Sequence, residues 1–265
     1  MRVAVDGIGV IAPGLPDWPA GRRVLAGAAP YVPAPPVVPA SPLLPANERR
    51  RMVATVRLAL AVGGEALAQA ACDAADLAAV FASSGGDGAT IHEILAGLAG
   101  PEREVSPTRF HNSVHNAPAG YWSIATRSRA PTTSLGAHDS SFAAGLLEAA
   151  AQVAAGSRPV ILVAYDLPYP EPLAAKRPIA SLFGVALVLA PAASRRSLAD
   201  LTLRLDPAAG PAAGMADPAL EALRRGNPAA RALPLLALLA RGAGAPVVLD
   251  HVAGNRLVVT AAPPC

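Results

Sequence analysis

An almost unbroken apolar stretch near the middle of the chain predicts a buried helix followed by a buried strand. Between residues 142 and 155 the only strongly polar residues are Glu148 and Gln152, and a helix that is apolar nearly all round must be enclosed by protein. Residues 160–164, Val-Ile-Leu-Val-Ala, have the pattern of a strand covered on both faces by helices. We therefore expect an α/β fold, with the turn at residues 136–139 on the helix N-terminus, deep in the fold.

The remaining pattern predicts one domain, residues 1–265, with further strands and helices. Strands are expected at residues 2–5, 76–82 and 197–205, and a closing hairpin at 247–250 with 256–260. Helical patterns cover residues 48–71, 89–99 and, as two short helices, 218–239. Asn47 is the predicted N-cap of the first helix, which we expect to bend at Gly63-Gly64. Seven prolines between residues 30 and 45 predict an extended surface arm over residues 30–46.

A glycine pattern near the start of the chain imitates a dinucleotide-binding motif. Residues 7–12, Gly-Ile-Gly-Val-Ile-Ala, form a G-x-G-x-x-A string, but such a site needs a helix at that point and an acidic residue about 20 positions on. Pro13, Gly14, Pro16 and Pro19 forbid that helix. The string therefore predicts a strand and turn.

Two other motifs are incomplete. The glycine-rich loop at residues 83–88 precedes a predicted helix but lacks the Lys-Ser/Thr pair of a phosphate-binding P-loop, so we expect a structural turn. His111 and His115 are four residues apart and would face one way on a helix. Because no cysteine or carboxylate ligand accompanies them, we expect no metal site.

Composition narrows the class of protein. A 52% apolar chain of 265 residues can bury a substantial core, and a net charge of +3 suits an acidic partner. Nucleic acid is disfavoured, because no basic cluster is interleaved with aromatic residues. Cys72 and Cys265 offer neither a disulfide framework nor metal-ligand spacing. With neither a secretory segment nor a membrane span in the pattern, we expect a protein of the reducing cytoplasm.

Residues 136–141, Gly-Ala-His-Asp-Ser-Ser, resemble the nucleophile region of beta-ketoacyl synthases, where Thr-Ala-Cys-Ser-Ser opens the central helix. His138 stands in the place of the active cysteine. Residues 106–120 resemble the Asn-Ala-Ala-Gly segment that leads to the family's dimer interface, and residues 179–189 its next core strand. The likeness extends over roughly residues 1–190, so residues 191–265 form a shortened, divergent C-terminal part.

The resemblance implies a thiolase-like (condensing-enzyme) fold, with a mixed sheet covered by helices and a much shortened C-terminal half. It places Asn112, His115, Asn116 and Gly120 at a dimer interface. Three arginines lie in the first turn of a predicted helix, where positive charge opposes the helix dipole: Arg49, Arg50 and Arg51. They are either a solvated face or a contact with an acidic carrier protein or a partner subunit, and the resemblance favours the contact.

The chemistry of His138 argues against catalysis. Condensation needs a thiolate that accepts an acyl group from a thioester and returns it to a carbanion, whereas an acylated imidazole is open to water. The resemblance also requires two later histidines, or a histidine and an asparagine, but the only later histidine is His251, in His-Val-Ala-Gly-Asn rather than His-Gly-Thr-Gly. We therefore expect no catalytic residue, and His138, beside Asp139 and Ser140, as a buried, hydrogen-bonded polar residue.

The chain is most similar to chain-length factors, in particular the short ones that accompany aryl polyene ketosynthases. This resemblance implies a heterodimer with a full-length beta-ketoacyl synthase, in which the chain limits the length of a polyene on an acyl carrier protein. No cofactor of its own is implied, because phosphopantetheine on the carrier delivers the acyl groups. The alternative is an acyltransferase or thioesterase using His138 with Asp139 or Ser140, although no G-x-S-x-G elbow is present.

Overall fold

Eight strands form one mixed sheet in the computed structural model, which describes residues 1–41, 43–194 and 196–264. Cys265 lies outside the described residues. In chain order the strands are β1 (Arg2–Ile11), β2 (Ala78–Ala82), β3 (Thr132–Leu135), β4 (Val160–Asp166), β5 (Phe183–Ala190), β6 (Ala199–Leu205), β7 (Val247–Asp250) and β8 (Arg256–Ala262). Across the sheet their order is β3-β2-β4-β5-β1-β6-β8-β7.

The three strands at one end of the sheet are parallel. β2 pairs in parallel with both β3 and β4, whereas all later neighbours are antiparallel. Every residue of β4 and β5 is buried, as the apolar runs predict. Because the carboxyl ends of parallel strands meet at one edge, the segments that follow β2, β3 and β4 come together there.

Helices cover both faces of the sheet. The longer ones are α1 (Trp18–Leu25), α3 (Ala54–Ala70), α4 (Gly88–Ala99), α6 (Ala117–Thr126), α7 (Ser141–Gly156), α9 (Pro218–Gly226) and α10 (Leu233–Arg241); α2 (Ala46–Arg51), α5 (Pro107–Asn112) and α8 (Leu173–Lys176) are short. One core contains α7, α1, α9 and α10, and the other α3 and α6. Most residues of α7 from Ser141 to Val153 are buried, which confirms the predicted central helix. None of the helices in the described residues has the length and apolar composition of a membrane span.

Strand β1 runs straight through the G-x-G-x-x-A string. A β-carbon on Gly7 would lie 2.1 Å from the carbonyl oxygen of Ala66, and one on Gly9 would lie 2.1 Å from that of Val62. The glycines therefore let α3 approach the strand closely, and no dinucleotide-binding turn forms. The helix that such a site needs is absent at the string, and Pro19 lies in the first turn of the later helix α1, where its missing N–H costs nothing.

The helix predicted over residues 48–71 is two helices. The chain breaks between α2 and α3 at Met52 and Val53, where the backbone is extended, and α3 continues through Gly63-Gly64. Pro45, rather than Asn47, occupies the N-cap position of α2. The three arginines therefore lie in the last turn of α2, where positive charge complements the helix dipole.

Gly63 and Gly64 provide a matched test of this packing. A β-carbon on Gly63 would lie 2.6 Å from Cζ3 of the fully buried Trp122, whereas one on Gly64 would meet nothing within 4 Å. We expect Gly63→Ala to lower the free energy of unfolding by about 1–3 kcal/mol through overpacking. Gly64→Ala should raise it by about 0.5–1 kcal/mol, because alanine is the better helix former. Urea titration of both variants checks the pair, and shifts of the same sign would contradict the contact.

The C-terminal part extends the same sheet. β6 pairs with β1, and β8 joins β6 to β7 in the predicted closing hairpin. Ahead of these elements, residues 30–41 contain neither helix nor strand and are mostly exposed, as expected of a proline-rich arm. Ser41 and Leu44 are buried and attach the arm to the body of the protein.

Candidate functional site

The turn between β3 and α7 contains His138, the residue that the resemblance predicts at the nucleophile position. The N–H of Ala137 donates to Oγ of Ser141 at 3.0 Å, and that hydroxyl donates to the carbonyl oxygen of His138 at 2.7 Å. His138 has a φ of 51°, in the left-handed region that costs energy for a residue other than glycine. The turn is therefore sharp and held by its own hydrogen bonds.

His138 points into solvent, so the prediction of a buried position deep in the fold is wrong. Its side chain is 72% exposed, although the helix that follows it is enclosed. β7 and residues 229–232 approach this turn, but they leave the side chain of His138 open to solvent. The imidazole is accessible to a ligand or a partner, and its position is not fixed by surrounding protein.

Asp139 is bound by arginines. Its Oδ1 accepts a hydrogen bond from Nη2 of Arg177 at 2.6 Å, and Nη2 of Arg231 lies 3.7 Å from Oδ2. Nδ1 of His138 is 3.7 Å from Oδ1, too far for a hydrogen bond. Partial burial alone raises the pKa of this carboxyl, but the hydrogen bond from Arg177 and the surrounding positive charge hold it below its usual range. Asp139 therefore fastens the turn to later parts of the chain.

Ser140 lies at the other side of His138. Its N–H donates to the carbonyl oxygen of Ala137 at 2.9 Å. Among the hydrogen bonds of the described residues, none joins the side chains of His138 and Ser140. The three candidate residues are adjacent, but they do not form a nucleophile, base and orienting group in series.

The glycine-rich loop after β2 lies beside this turn and is filled by the chain's own groups. Oδ1 of Asp166 accepts from the N–H and the hydroxyl of Ser84, both at 2.8 Å, and from the hydroxyl of Ser83 at 3.0 Å. The ring of Tyr169 lies against Gly85 and Gly88, within 2.2 Å of where their β-carbons would be. The loop is therefore a packed structural turn, as predicted. Burial raises the pKa of Asp166 to about 6.

The predicted interface residues divide into two pairs. Asn112 is buried and donates to the carbonyl oxygen of Arg51 at 3.0 Å, and Nε2 of His115 lies 3.2 Å from the carbonyl oxygen of Ser83. Asn116 and Gly120 are exposed, and a β-carbon on Gly120 would meet nothing within 4 Å. Within this segment, Asn116 and Gly120 are therefore the residues that are accessible to a partner. A dimer interface here stays a prediction.

His111 and His115 do not share a helix face. His111 lies in the last turn of α5, with its ring centroid 6.1 Å from that of Tyr121, whereas His115 lies in the turn before α6. The chain turns between the two residues, so the single helix on which they would face one way does not form. No group of three His, Cys, Asp or Glu side chains in the described ranges is placed to hold a metal ion.

The three arginines of α2 have different environments. Nη1 of Arg49 donates to the carbonyl oxygen of Leu44 at 2.6 Å, and Nη1 of Arg51 lies 3.6 Å from Glu48. Arg50 and Arg51 line a pocket of about 380 Å³ together with Arg57 and Arg109. Arg49 is not part of this pocket.

An exposed apolar stripe on α4 was missed by the sequence analysis. Ile91, Leu95 and Leu98 are exposed, with 60% of Leu95 open to solvent, and their spacing places them on one helix face. Phe110 and Val114, on and just after the adjacent α5, are also exposed. The i, i+4, i+7 spacing was visible in the sequence, but it cannot distinguish a face that packs inward from one left for a partner. We refer to Ile91, Leu95 and Leu98 as the α4 stripe.

A sequence profile described as "Beta-ketoacyl synthase, N-terminal domain" matches residues 25–229. The chain belongs to this family. The sharp turn at His138 lies within the matched residues. Among curated proteins no sequence matches the chain.

Solved structures give the fold of this beta-ketoacyl synthase domain. A chain of the ketosynthase (ApeO) in complex with its chain length factor (ApeC) from Xenorhabdus doucetiae is 24% identical with a TM-score of 0.73, over 98% of this chain and 99% of that one. A chain of AntDE:AntF, a type II polyketide acyl-carrier protein in complex with its ketosynthase, is 13% identical with a TM-score of 0.73, over 99% of both. A beta-ketoacyl synthase from Burkholderia phymatum is 14% identical with a TM-score of 0.59, over 91% of this chain but 70% of that one. The chain thus has the thiolase-like fold in a short form.

Proposed function

We propose that this protein is a non-catalytic, chain-length-factor-like subunit that pairs with a full-length beta-ketoacyl synthase. It stabilises that enzyme and limits the length of the acyl or polyene chain made on an acyl carrier protein, in fatty-acid- or polyketide-type (aryl polyene) biosynthesis in the cytoplasm. The observation that carries the proposal is that Asp139, beside His138, is bound by two arginines, so that His138, which the resemblance predicts in the place of the cysteine, has no orienting carboxylate. Phosphopantetheine on the carrier delivers the acyl groups, and the subunit needs no cofactor.

Likeness to a chain of a ketosynthase complex supports a partner role. The chain matches 99% of a chain in the ApeO–ApeC complex, a ketosynthase with its chain length factor, but 70% of the Burkholderia beta-ketoacyl synthase. AntDE:AntF adds a carrier protein bound to its ketosynthase, which supports carrier-dependent chemistry for the pair.

The free surface next to β3 fits a protein partner. β3 is the last strand at its end of the sheet, and its outer edge has backbone N–H and C=O groups that another chain can bind. Ile124 on the neighbouring α6 is exposed, as are Phe110 and the α4 stripe. Exposed apolar side chains such as these are typical of an interface. We infer that the ketosynthase docks on this side.

The alternative is an acyltransferase or thioesterase that uses His138. Its exposure and left-handed backbone favour such a role, since strained residues are enriched at active sites. However, a general base must be oriented by a third group, and the carboxylate of Asp139 is engaged by Arg177. A covalent acyl adduct on His138 that turns over would support this alternative.

The test is reconstitution with the ketosynthase. We expect the isolated chain to self-associate and the co-expressed pair to form a one-to-one complex, measured by size-exclusion chromatography with light scattering. Omitting the subunit should reduce product and change its length distribution in a carrier-dependent assay. A stable monomer that ignores the ketosynthase would refute the partner role.

His138 variants separate a partner from an enzyme. Because His138 replaces the thiol, we expect His138→Ala in the complex to leave chain initiation and extension within about twofold of wild type, since it removes no transition-state interaction. His138→Cys should likewise create no second condensing site, as no catalytic histidines surround it. Product assays and mass spectrometry of the subunit measure both. Complete loss of product from a folded His138→Ala complex contradicts the non-catalytic role.

A further inference from the structure

An apolar cavity lies between the proline-rich arm and the outer face of α3. Its volume of about 640 Å³ falls in the range of cavities that hold small molecules. None of its described lining residues belongs to the turn at His138 or to the α4 stripe, so the cavity is separate from the nucleophile position and from the proposed partner surface. Small residues of α3 line one side and the arm lines the other: Ala61, Gly64 and Ala68 from α3, and Pro39, Ala40, Ser41 and Leu43 from the arm.

The arm forms a stiff wall of this cavity. The N–H of Gly14 donates to the carbonyl oxygen of Ala34 at 3.0 Å, and Nη1 of Arg49 donates to that of Leu44 at 2.6 Å, so both ends of the wall are fastened. Prolines recur at every third position from residue 30 to residue 45. Each proline fixes its own φ and restricts the residue before it. The cavity is therefore preformed, and binding a ligand costs little ordering of the arm.

One buried hydroxyl in the cavity has an unused proton. Ser41 is 4% exposed and lines the cavity, and its Oγ accepts a hydrogen bond from the N–H of Leu43 at 3.3 Å. Among the described residues this hydroxyl donates to no acceptor. A buried donor without an acceptor costs free energy. A ligand that supplies an acceptor oxygen at this point removes that cost.

The charges around the cavity favour a neutral ligand. The described lining contains no Lys, Arg or His side chain. Its carboxylate, Glu65, accepts hydrogen bonds from the N–H groups of Val10 at 2.9 Å and Trp18 at 2.5 Å. Burial raises the pKa of the Cys72 thiol, which also lines the cavity and stays protonated. An anionic ligand would lose its water here without gaining an opposite charge.

We propose that the cavity between the arm and α3 is a binding site for a neutral, mainly hydrocarbon molecule with a single carbonyl acceptor, such as a ketone or an ester. The apolar walls contact the hydrocarbon part, and the hydroxyl of Ser41 donates to the carbonyl oxygen. The site binds its ligand reversibly and does not depend on a partner subunit. It therefore goes beyond the proposed function.

Three aromatic compounds of similar size test the chemistry of the site: butyrophenone, butylbenzene and 4-phenylbutanoate. Titration of the full chain, followed by protein NMR shifts, should show saturable binding of the ketone. Butylbenzene has no acceptor and should bind about threefold to tenfold more weakly, as expected for one lost hydrogen bond. The anion should bind more weakly still. The proposal is overturned if butyrophenone shows no saturable binding, or if either of the other compounds binds as tightly.

Variants show whether binding occurs in this cavity. A β-carbon on Gly64 would meet nothing within 4 Å, so Gly64→Leu fills the space and should weaken butyrophenone binding at least about tenfold. Ala68→Phe, at an exposed position of the same wall, should also weaken it. Ala222→Leu, on the exposed face of α9, is the control and should leave affinity unchanged. Wild-type affinity in both cavity variants overturns the site.

Ser41→Ala tests the hydrogen bond separately from the apolar walls. It should reduce the affinity for butyrophenone to that of butylbenzene and leave butylbenzene binding unchanged. Equal affinity of wild type and Ser41→Ala for the ketone would reject the carbonyl acceptor. Circular dichroism of each variant establishes that the chain is folded.

The outcome is independent of pairing with a ketosynthase. Ligand binding is measured on the isolated chain, whereas light scattering with the ketosynthase measures pairing. We expect Gly64→Leu to pair normally. If it fails to pair, this face of α3 belongs to the subunit interface and the ligand site is rejected, whereas the proposed function remains.

Discussion

Leu95→Arg is expected to abolish the complex with the ketosynthase while the isolated chain still folds. Leu95 is 60% exposed in the centre of the α4 stripe, so arginine there is solvated in the free subunit. In a complex that covers the stripe, the charge loses its water without gaining a partner. Removing a central interface residue costs about 2 kcal/mol or more, which corresponds to roughly a thirtyfold weaker affinity.

Leu205→Arg is the matched control. Leu205 is 49% exposed at the end of β6, far along the sheet from the edge strand β3. Titration of both variants with the ketosynthase, read by light scattering, should show lost binding for Leu95→Arg and wild-type binding for Leu205→Arg. The reverse result would move the docking surface to the other end of the sheet, and wild-type binding by both would remove the α4 stripe from the interface.

Asp166→Asn is expected to remove a large pH dependence of stability. Burial raises the folded-state pKa of Asp166 from its ordinary 3.8 to about 6, although hydrogen bonds from Ser84 and Ser83 oppose the shift. The folded protein therefore holds a proton that the unfolded chain releases. The corresponding stability is present below about pH 4 and is lost as pH rises through about 6, a difference of roughly 3 kcal/mol.

Urea unfolding of wild type and Asp166→Asn across this pH range measures the effect. The asparagine keeps an acceptor oxygen for the loop but cannot ionise, so the difference between the two curves isolates this group. Ser84→Ala removes a hydrogen bond that favours the charged form, and should move the transition to higher pH. Parallel curves for wild type and Asp166→Asn would show that the carboxyl ionises equally in both states.

The fold was largely predictable where the pattern was decisive. An apolar helix followed by an apolar strand cannot be stable unless both are enclosed, and α7 and β4 are the centre of the structure. The break between α2 and α3 was not predictable in the same way. Residues on both sides of the break have helical patterns, and the sequence indicated Gly63-Gly64 as the place where the helix would bend. In the structure the helix continues there, because Gly63 makes room for the ring of Trp122.

The site was predictable in position but not in environment. The resemblance located His138 correctly on a turn before α7, because that turn is defined by local sequence. The exposure of His138 depends on how later segments of the chain pack, since residues 229–232 and β7 approach the turn but leave the imidazole open to solvent. The bonds from Arg177 and Arg231 to Asp139 are also contacts between distant segments, which a local pattern does not contain.

The position of β1 in the sheet also determines when the sheet can form during synthesis. β1 leaves the ribosome before β5 and β6, so both of its hydrogen-bonded strand partners come later, from residues 183–205. Such distant pairing slows folding and prolongs the exposure of unpaired edges. During that interval α3 can pack on β1, but both edges of the strand stay unpaired, and chaperone binding should influence the yield of native subunit.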